Sequence, residues 1–446
     1  MALTGGFAAG AEATGGALET TGGGEGGADT TGGAEALGNT GAAEGRGAGA
    51  EAKAAIFARA RAFSSVPVIL IVTGAAPSVP VSSLMMTHTS SAKLITWQIG
   101  LAAEQVTQAH SIGSRKSFFM SKLSHKSFVI WCCMKILVTG GAGYIGSHFV
   151  NLLVNEHPEI IVLVVDDLSQ GSAGALPNNV PLAIAQVGNK ECMAACLYGV
   201  DTVVHFAGRI CVGESVHQPD LYWDNVVQTI ALLDEAVRAG VKNFVFSSSA
   251  AVYESSKTHI LEDDPKKPLN AYGASKFAIE MALRHYRRAF GLNYACLRYF
   301  NAAGADPSGH LRENHSPETH LIPLAIDAAF GGQELTVYGE DWETPDGSAI
   351  RDYVHVCDLA EAHLRAIGQE ALECNLGTGE GTSVKQITRM VERVTGKRVA
   401  LKIGQRREGD PPALVADVTR AREKLGWIAK KGLMEIVEDA VRSRRP

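Results

Sequence analysis

At 446 residues the chain is too long for one ordinary domain and points to two or three. It is 46% hydrophobic and 20% charged, which suits a soluble protein with a sizeable core, and its net charge of −6 offers no basic field, so nucleic acid is excluded as an expected partner. The 8 cysteines contain no CxxC pair, so neither a disulfide framework nor a zinc site is indicated, and no apolar run approaches the roughly 18 residues that would span a bilayer.

The first 50 residues hold 17 Gly and 13 Ala. Such a composition has little to bury and much backbone entropy to lose, so disorder is expected. Residues 51–133 are more mixed. Ser111 to Phe128 is basic and Ser-rich, and with Arg61-Ala62-Phe63-Ser64-Ser65 it leaves a transit segment open; the seven acids within residues 1–51 argue against one. The preferred reading takes residues 1–133 as a low-complexity extension foreign to the fold, with a natural start at Met134. Thr73-Gly74-Ala75-Ala76 echoes a Gly-rich turn but opens no helix, and is taken as a decoy.

From Met134 the periodicity changes. Ile136 to Val138, Ile160 to Val165, Thr202 to Phe206 and Phe244 to Phe246 are continuous apolar strands, each separated from the next by a helical stretch such as Ser147 to Asn155. That alternation predicts an α/β fold, a doubly wound parallel sheet covered on both faces. Beyond about Asn301 the pattern loosens, which predicts a smaller C-terminal substrate-binding region at the carboxyl edge of the sheet.

Two constellations carry chemistry. Gly140, Gly143 and Gly146 follow the first strand as GxxGxxG, with Tyr144 and Ile145 between them; glycines there let backbone N–H groups approach a pyrophosphate at a helix N-terminus. Twenty residues on, at the end of the second strand, Asp166 can bind ribose hydroxyls and repel a 2′-phosphate, which favours NAD over NADP. Further along, Ser247-Ser248-Ser249 ends a strand, and Tyr272 and Lys276 lie at i and i+4 on one helix face. An ammonium beside a phenol, with an oxidised nicotinamide nearby, is expected to favour phenolate and make Tyr272 a usable base, with Ser249 sharing the same substrate hydroxyl.

With these residues in place, the chain from Met134 onward resembles the extended short-chain dehydrogenase/reductase family, and within it the UDP-glucose 4-epimerases. The resemblance rests on VTGGAGYIGSH at 138–148, HFAG at 205–208, VGESV at 212–216, LRYFN at 297–301, PETHLIP at 317–323, IRDYVHV at 350–356 and RREGD at 406–410. It implies a Rossmann-type NAD-binding domain over residues 134–300. Residues 301–446 would mainly bind nucleotide sugar, partly interleaved with the sheet. It implies a retained NAD and UDP-hexose substrates, with Tyr272 taking the proton from the sugar 4-hydroxyl while hydride leaves C4, as in galactose metabolism.

The resemblance adds Asp167, Leu168, Phe206, Ala207, Gly208, Asn225 and Phe300 to the cofactor contacts. Substrate contacts would be Ser249, Asn301, His320, Leu321, Thr336, Val337, Tyr338, Arg351, Arg407, Asp410 and Leu414. Arginines suit a diphosphate because their planar donors bind oxygens in pairs; Arg406 is read as a solvated charge. Leu414, of intermediate size, stands where relatives size the hexose pocket, so some activity on UDP-N-acetylglucosamine is expected. A cytoplasmic homodimer built by packing helices into a four-helix bundle is also implied. His310, His315 and His320 are spaced evenly by five, which fits no ligand pattern, so no metal is expected.

Three departures stand out. Gly188-Asn189 replaces a Gly-Asp pair on the adenine side, Ile210 stands where many relatives have Lys, and Glu254 replaces a Gly in what should be a loop. Other activities fit less well. A 4,6-dehydratase needs an acid pair after Ser249, where Ala250-Ala251-Val252 stand. A UDP-glucuronate 4-epimerase would want cations near the hexose C6, and only Arg209 offers one. An inactive NAD-sensing regulator would not need Ser249, Tyr272 and Lys276 intact.

Overall fold

The structure, a computed structural model, describes residues 68–69, 134–254, 259–315, 317–407 and 410–444. The disorder expected over residues 1–133 therefore lies outside the described residues, apart from a two-residue strand, β1 (Val68–Ile69), paired with Leu182–Ala183.

A parallel sheet dominates. Its strands are β2 (Lys135–Thr139), β3 (Ile161–Asp166), β4 (Leu182–Ile184), β5 (Thr202–His205), β6 (Asn243–Ser249), β8 (Asn293–Tyr299) and β12 (Ala371–Leu376), in the order β1-β4-β3-β2-β5-β6-β8-β12. Short apolar runs such as Ile136-Leu137-Val138 are 0% exposed because both sheet faces are covered. One face carries Phe149, Val150 and Leu153 of α1 (Tyr144–Glu156) with Leu359 and Ala362 of α7 (Val356–Arg365). The other carries Cys192 and Met193 of α2 (Lys190–Cys196), Leu232 and Ala236 of α4 (Pro219–Arg238), and Ile279 and Leu283 of α5 (Ala271–Phe290). Between β2 and β5 the strand order changes direction, and the crevice beyond the carboxyl ends at such a point is where open α/β sheets take ligands.

Helix ends follow from local residues. Pro219 at the first turn starts α4 without wasting an N–H donor. The Asn270 side chain accepts from the Gly273 N–H at 2.9 Å and starts α5, which Gly291 ends at φ +75°.

The C-terminal part is more ordered than its loose sequence pattern suggests. It contains α6 (Leu321–Ala329), α8 (Val384–Thr395) and α10 (Leu433–Arg444) packed in one core with Tyr353, and β11 (Ile350–His355) pairs with β9 (Asn301–Ala303), β13 (Gly381–Ser383) and β15 (Ala413–Ala416). The chain does not leave the sheet at residue 300: β12 pairs with β8, and α7 packs in the same core as α1. Glu254 lies in irregular backbone, as expected, and pairs with Lys267 at 2.9 Å.

Candidate active site

The turn after β2 is shaped for a close approach. Gly140 has φ +70°, and a Cβ there would lie 2.5 Å from the Ala207 nitrogen; one on Gly146 would strike the Gly140 carbonyl. Gly143 caps α1 without a side-chain bond, which leaves the first-turn N–H groups for an anion. Asp166 accepts from the Ala142 N–H and the Leu168 N–H, both at 2.9 Å, so it fixes the turn while oxygen lone pairs remain for ribose hydroxyls. Asp167 caps Ser169 at 2.9 Å. Leu168, at φ +59°, is the one non-Gly residue in the left-handed region among the described residues; such strain collects at functional sites.

Beyond Asp166, which pairs with Ile184 in β4, a cavity of about 410 Å³ is lined by Ile184, Gln186, Gly188, Asn189, Val227 and Gln228. It lies where the adenine side is expected. The Gly188 N–H donates to Gln228 at 2.7 Å, and the Asn189 side chain caps α2, accepting from Cys192 at 3.0 Å. Asn189 thus does the helix-starting work that a carboxylate would also do there. Asn225 bonds the Arg209 N–H at 2.9 Å and its carbonyl at 3.1 Å, holding the chain after Phe206-Ala207-Gly208. Ile210 is 41% exposed and replaces a cation with apolar surface. These features fit a dinucleotide: a glycine cradle that any side chain would fill, free N–H groups, a ribose carboxylate and a cavity past it.

The residues expected to carry proton transfer come together at the end of β6 and the start of α5. Lys276 is fully enclosed, and its Nζ donates to the Ser247 carbonyl at 2.8 Å while lying 5.8 Å from the centre of the Tyr272 ring. Burial lowers Lys276 to about 8, partly opposed by the charge of Glu280. Burial also raises the Tyr272 phenol above its ordinary value, with the Ser249 hydroxyl pulling the other way. Desolvation of the anion thus prevails over the Ser249 hydrogen bond. A second positive group is needed, which an oxidised nicotinamide supplies. Ser249 accepts from the Ala251 N–H at 3.1 Å and keeps its own proton to donate.

Two aromatic neighbours escaped the sequence reading. Tyr222 meets the Tyr272 ring edge-on at 6.3 Å, held by bonds from its hydroxyl to the Cys211 carbonyl at 2.6 Å and Glu214 at 2.7 Å. Tyr299 is bonded to Ser247. Nothing in local spacing announces either, since each is brought in by the fold. Underneath, Glu280 accepts from Ser248 at 2.6 Å and from Arg298 at 2.8 and 2.6 Å, and Arg298 also reaches Glu373 at 2.6 Å. Glu280 and Arg298 are both 0% exposed.

On the substrate side, Asn301 Nδ2 donates to the Asp352 carbonyl at 3.0 Å. Arg351 bonds the Pro411 carbonyl at 3.0 Å, lies 3.6 Å from Asp410, and pairs across the sheet with Leu414. Leu414 packs against the cluster of Ala250, Val252, Tyr253, Ile260, Phe300 and Ala416, which includes the turn after Ser249. Arg407 stacks at 3.9 Å on Tyr338 in β10 (Leu335–Tyr338), which also holds Thr336 and Val337; Val337 is 1% exposed, so it is not open to a ligand here. Arg406 is not simply solvated: it pairs with Asp341 at 2.8 Å and lies over Trp342 at 4.4 Å. Glu408 and Gly409 lie outside the described residues.

His320 and Leu321 stand at the start of α6. Burial would lower His320, but Glu313 and Glu318 overcome it and raise the imidazole to about 10, and solvent reaching 45% of the side chain screens that rise. His315 joins the same group, whereas His310 does not.

The model of the NAD dependent epimerase/dehydratase family matches residues 136–377. The chain is 46% identical over 319 residues to a UDP-glucose 4-epimerase of Halalkalibacterium halodurans, covering 69% of this chain and 94% of the relative. It is 45% identical to one from Corynebacterium glutamicum, with the same coverage. Among solved structures, the UDP-glucose 4-epimerase of Brucella ovis in complex with NAD superposes with a TM-score of 0.67 at 43% identity, covering 69% of this chain and 97% of that one. The UDP-glucose 4-epimerase of Bifidobacterium longum, in complex with NAD+ and UDP, gives 0.66 at 34%, covering 70% and 98%.

Proposed function

Because the chain belongs to the NAD dependent epimerase/dehydratase family, we propose that it interconverts UDP-glucose and UDP-galactose by oxidising and re-reducing the sugar at C4. Bound NAD supplies a reversible two-electron acceptor, so the reaction has no net redox change. Tyr272 accepts the 4-hydroxyl proton as C4 becomes a ketone and returns it after the ring has turned. Ser249 donates to the same oxygen, and Lys276, fixed on the Ser247 carbonyl, keeps a positive charge beside the phenol.

The observation that carries this reading is the buried Tyr272–Lys276 pair beside the glycine cradle. Burial lets the phenol ionise only when further positive charge is present, which ties base strength to an oxidised cofactor. In this reading Arg351 and Arg407 hold the UDP diphosphate, Asp410, Asn301 and the start of α6 hold the nucleoside side, and the hexose is left free to turn. Asp166 and the glycine cradle hold NAD.

A homodimer is part of the proposal. Trp223 and Val227 on α4 are 46% and 65% exposed, and Met281 on α5 is 42% exposed, an apolar face of the kind that helices bury against a second copy. Sedimentation should give twice the chain mass, and a monomer would remove this part. No described helix is long and apolar enough to cross a membrane; a cytoplasmic location is proposed with the activity.

The test is incubation of purified protein with UDP-galactose deuterated at C4 and no added cofactor. UDP-glucose retaining the label is expected. Loss of the label to solvent, or no product despite bound NAD, would overturn the reading.

A further inference from the structure

We propose that Glu313, His315, Glu318 and His320 form a four-ligand site for one divalent transition-metal ion of the zinc class. One ligand atom from each lies within 4.8 Å of all the others. His320 Nδ1 is 2.7 Å from Glu313 Oε1 and 3.2 Å from Glu318 Oε1; His315 Nδ1 is 3.3 Å and 3.9 Å from the same two oxygens. A tetrahedral ion with bonds of about 2.0–2.1 Å needs its ligand atoms about 3.3 Å apart, and the four distances bracket that value. Two imidazoles with two carboxylates is a donor set that suits zinc and its neighbours better than magnesium or calcium.

Three further features favour an ion over a simple charge pair. His315 Nδ1 is buried and makes no hydrogen bond, although it points at carboxylates. Glu313 is 5% exposed and faces two imidazoles rather than a fixed cation. Glu318 Oε1 is already oriented by the Thr319 and His320 N–H groups at 2.8 and 2.9 Å, and its other oxygen lies 3.4 Å from Arg444, the outer support that ligating carboxylates carry. The His315 ring lies edge-on to Tyr144 at 6.4 Å, so an ion here would pin these residues to the first turn of α1. With four protein donors the site is closed, which makes its role structural and leaves His320 only its main chain for the nucleoside side.

The full chain, stripped with a chelator and dialysed into metal-free buffer, is titrated with zinc chloride and, separately, cobalt chloride. The expected result is a saturable site that raises Tm with zinc and gives the intense visible bands of four-coordinate cobalt. His315→Ala and Glu313→Gln, each checked as folded by far-UV circular dichroism, should weaken that site about tenfold or more. The wild-type cobalt spectrum needs no variant and decides the matter if either variant fails to fold. Zinc binding kept at full strength by both folded variants, or a wild-type chain with neither four-coordinate cobalt bands nor a Tm rise, would overturn the proposal.

Discussion

The residues proposed for proton transfer and the arginines proposed for the diphosphate are built in opposite ways. Lys276 is enclosed and tied to a main-chain carbonyl, Tyr272 is buried, and beneath them Glu280 and Arg298 are fully buried with their charges matched. Arg351 is partly buried, but Asp410 is 39% exposed, and Arg407 rests on the open face of Tyr338. Chemistry at one carbon needs atoms fixed to a fraction of an ångström, whereas a flexible diphosphate needs charge with reach. The contrast therefore separates groups that should act on turnover from groups that should act on affinity.

Tyr272→Phe should test it hardest. Removing the proton acceptor should lower kcat by about 10²–10⁴-fold while KM changes little, since the ring and its edge contact with Tyr222 remain. A comparable loss in KM would mean that Tyr272 binds rather than reacts.

The rigid side should also be the fragile one. Arg298→Met leaves the Glu280 carboxylate buried without its cation and should cost about 3–5 kcal/mol of stability. The Arg298→Met/Glu280→Leu pair should recover much of that loss, because removing both charges also removes the desolvation penalty. Urea midpoints would decide; if the double variant is no better than the single one, the network is not a matched pair.

Lys276 shows function placed against stability. Its pKa is lowered to about 8 in the fold from an ordinary 10.5, so folding disfavours the charged form. That penalty is fully present below pH 8 and fades as pH rises from about 8 to 10.5, where the unfolded chain binds more protons than the folded one. Lys276→Met should therefore stabilise the cofactor-free protein below pH 8 by about 2–3 kcal/mol while stopping turnover. The advantage should shrink toward pH 10.5, and a pH-independent difference would point to packing instead.

How much of this was legible follows the same divide. The glycine turn, Asp166 and the Tyr272–Lys276 pair are short-range patterns, set by one strand, one turn and one helix face, so spacing alone exposes them. Tyr222, Tyr299 and Arg298 are brought in across the sheet and no local period marks them, whereas Glu280 follows Lys276 by four residues on α5 and only its pairing with Arg298 is hidden from the sequence. The sequence displays the cation near Tyr272 but not the burial of the phenol, which only the fold sets. Glu313 and Glu318 were passed over because even His spacing was compared with helical ligand patterns, while an irregular turn brings the four side chains together. Arg351, Arg407 and Asp410 came only through resemblance, since one charge in β11 and two in a distant loop have no signature of their own.

On the open side, Arg407→Ala should raise KM about tenfold with kcat nearly unchanged, the loss expected for one charge-assisted contact made equally before and during reaction. A fall in kcat of the Tyr272→Phe kind would erase the distinction between the two regions.

Leu414 sits on the boundary between them, and its effect should be the smallest and most selective. In β15 it stands opposite Arg351, yet it packs against the cluster that includes Ala250 and Val252 of the turn after Ser249. A residue so placed can size the space for the hexose without touching proton transfer or the diphosphate. Leu414→Tyr adds an aromatic ring to that space, which an N-acetyl group would also need and a free hydroxyl would not. Activity on UDP-N-acetylglucosamine should fall roughly tenfold to a hundredfold relative to UDP-galactose, the discrimination that steric fit in an apolar pocket provides. Because overpacking costs stability by itself, Tm must be measured alongside both rates. A parallel fall in both activities with a lower Tm would reduce Leu414 to a core residue. A selective fall at unchanged Tm would place the size filter at the seam where the rigid region meets the open one.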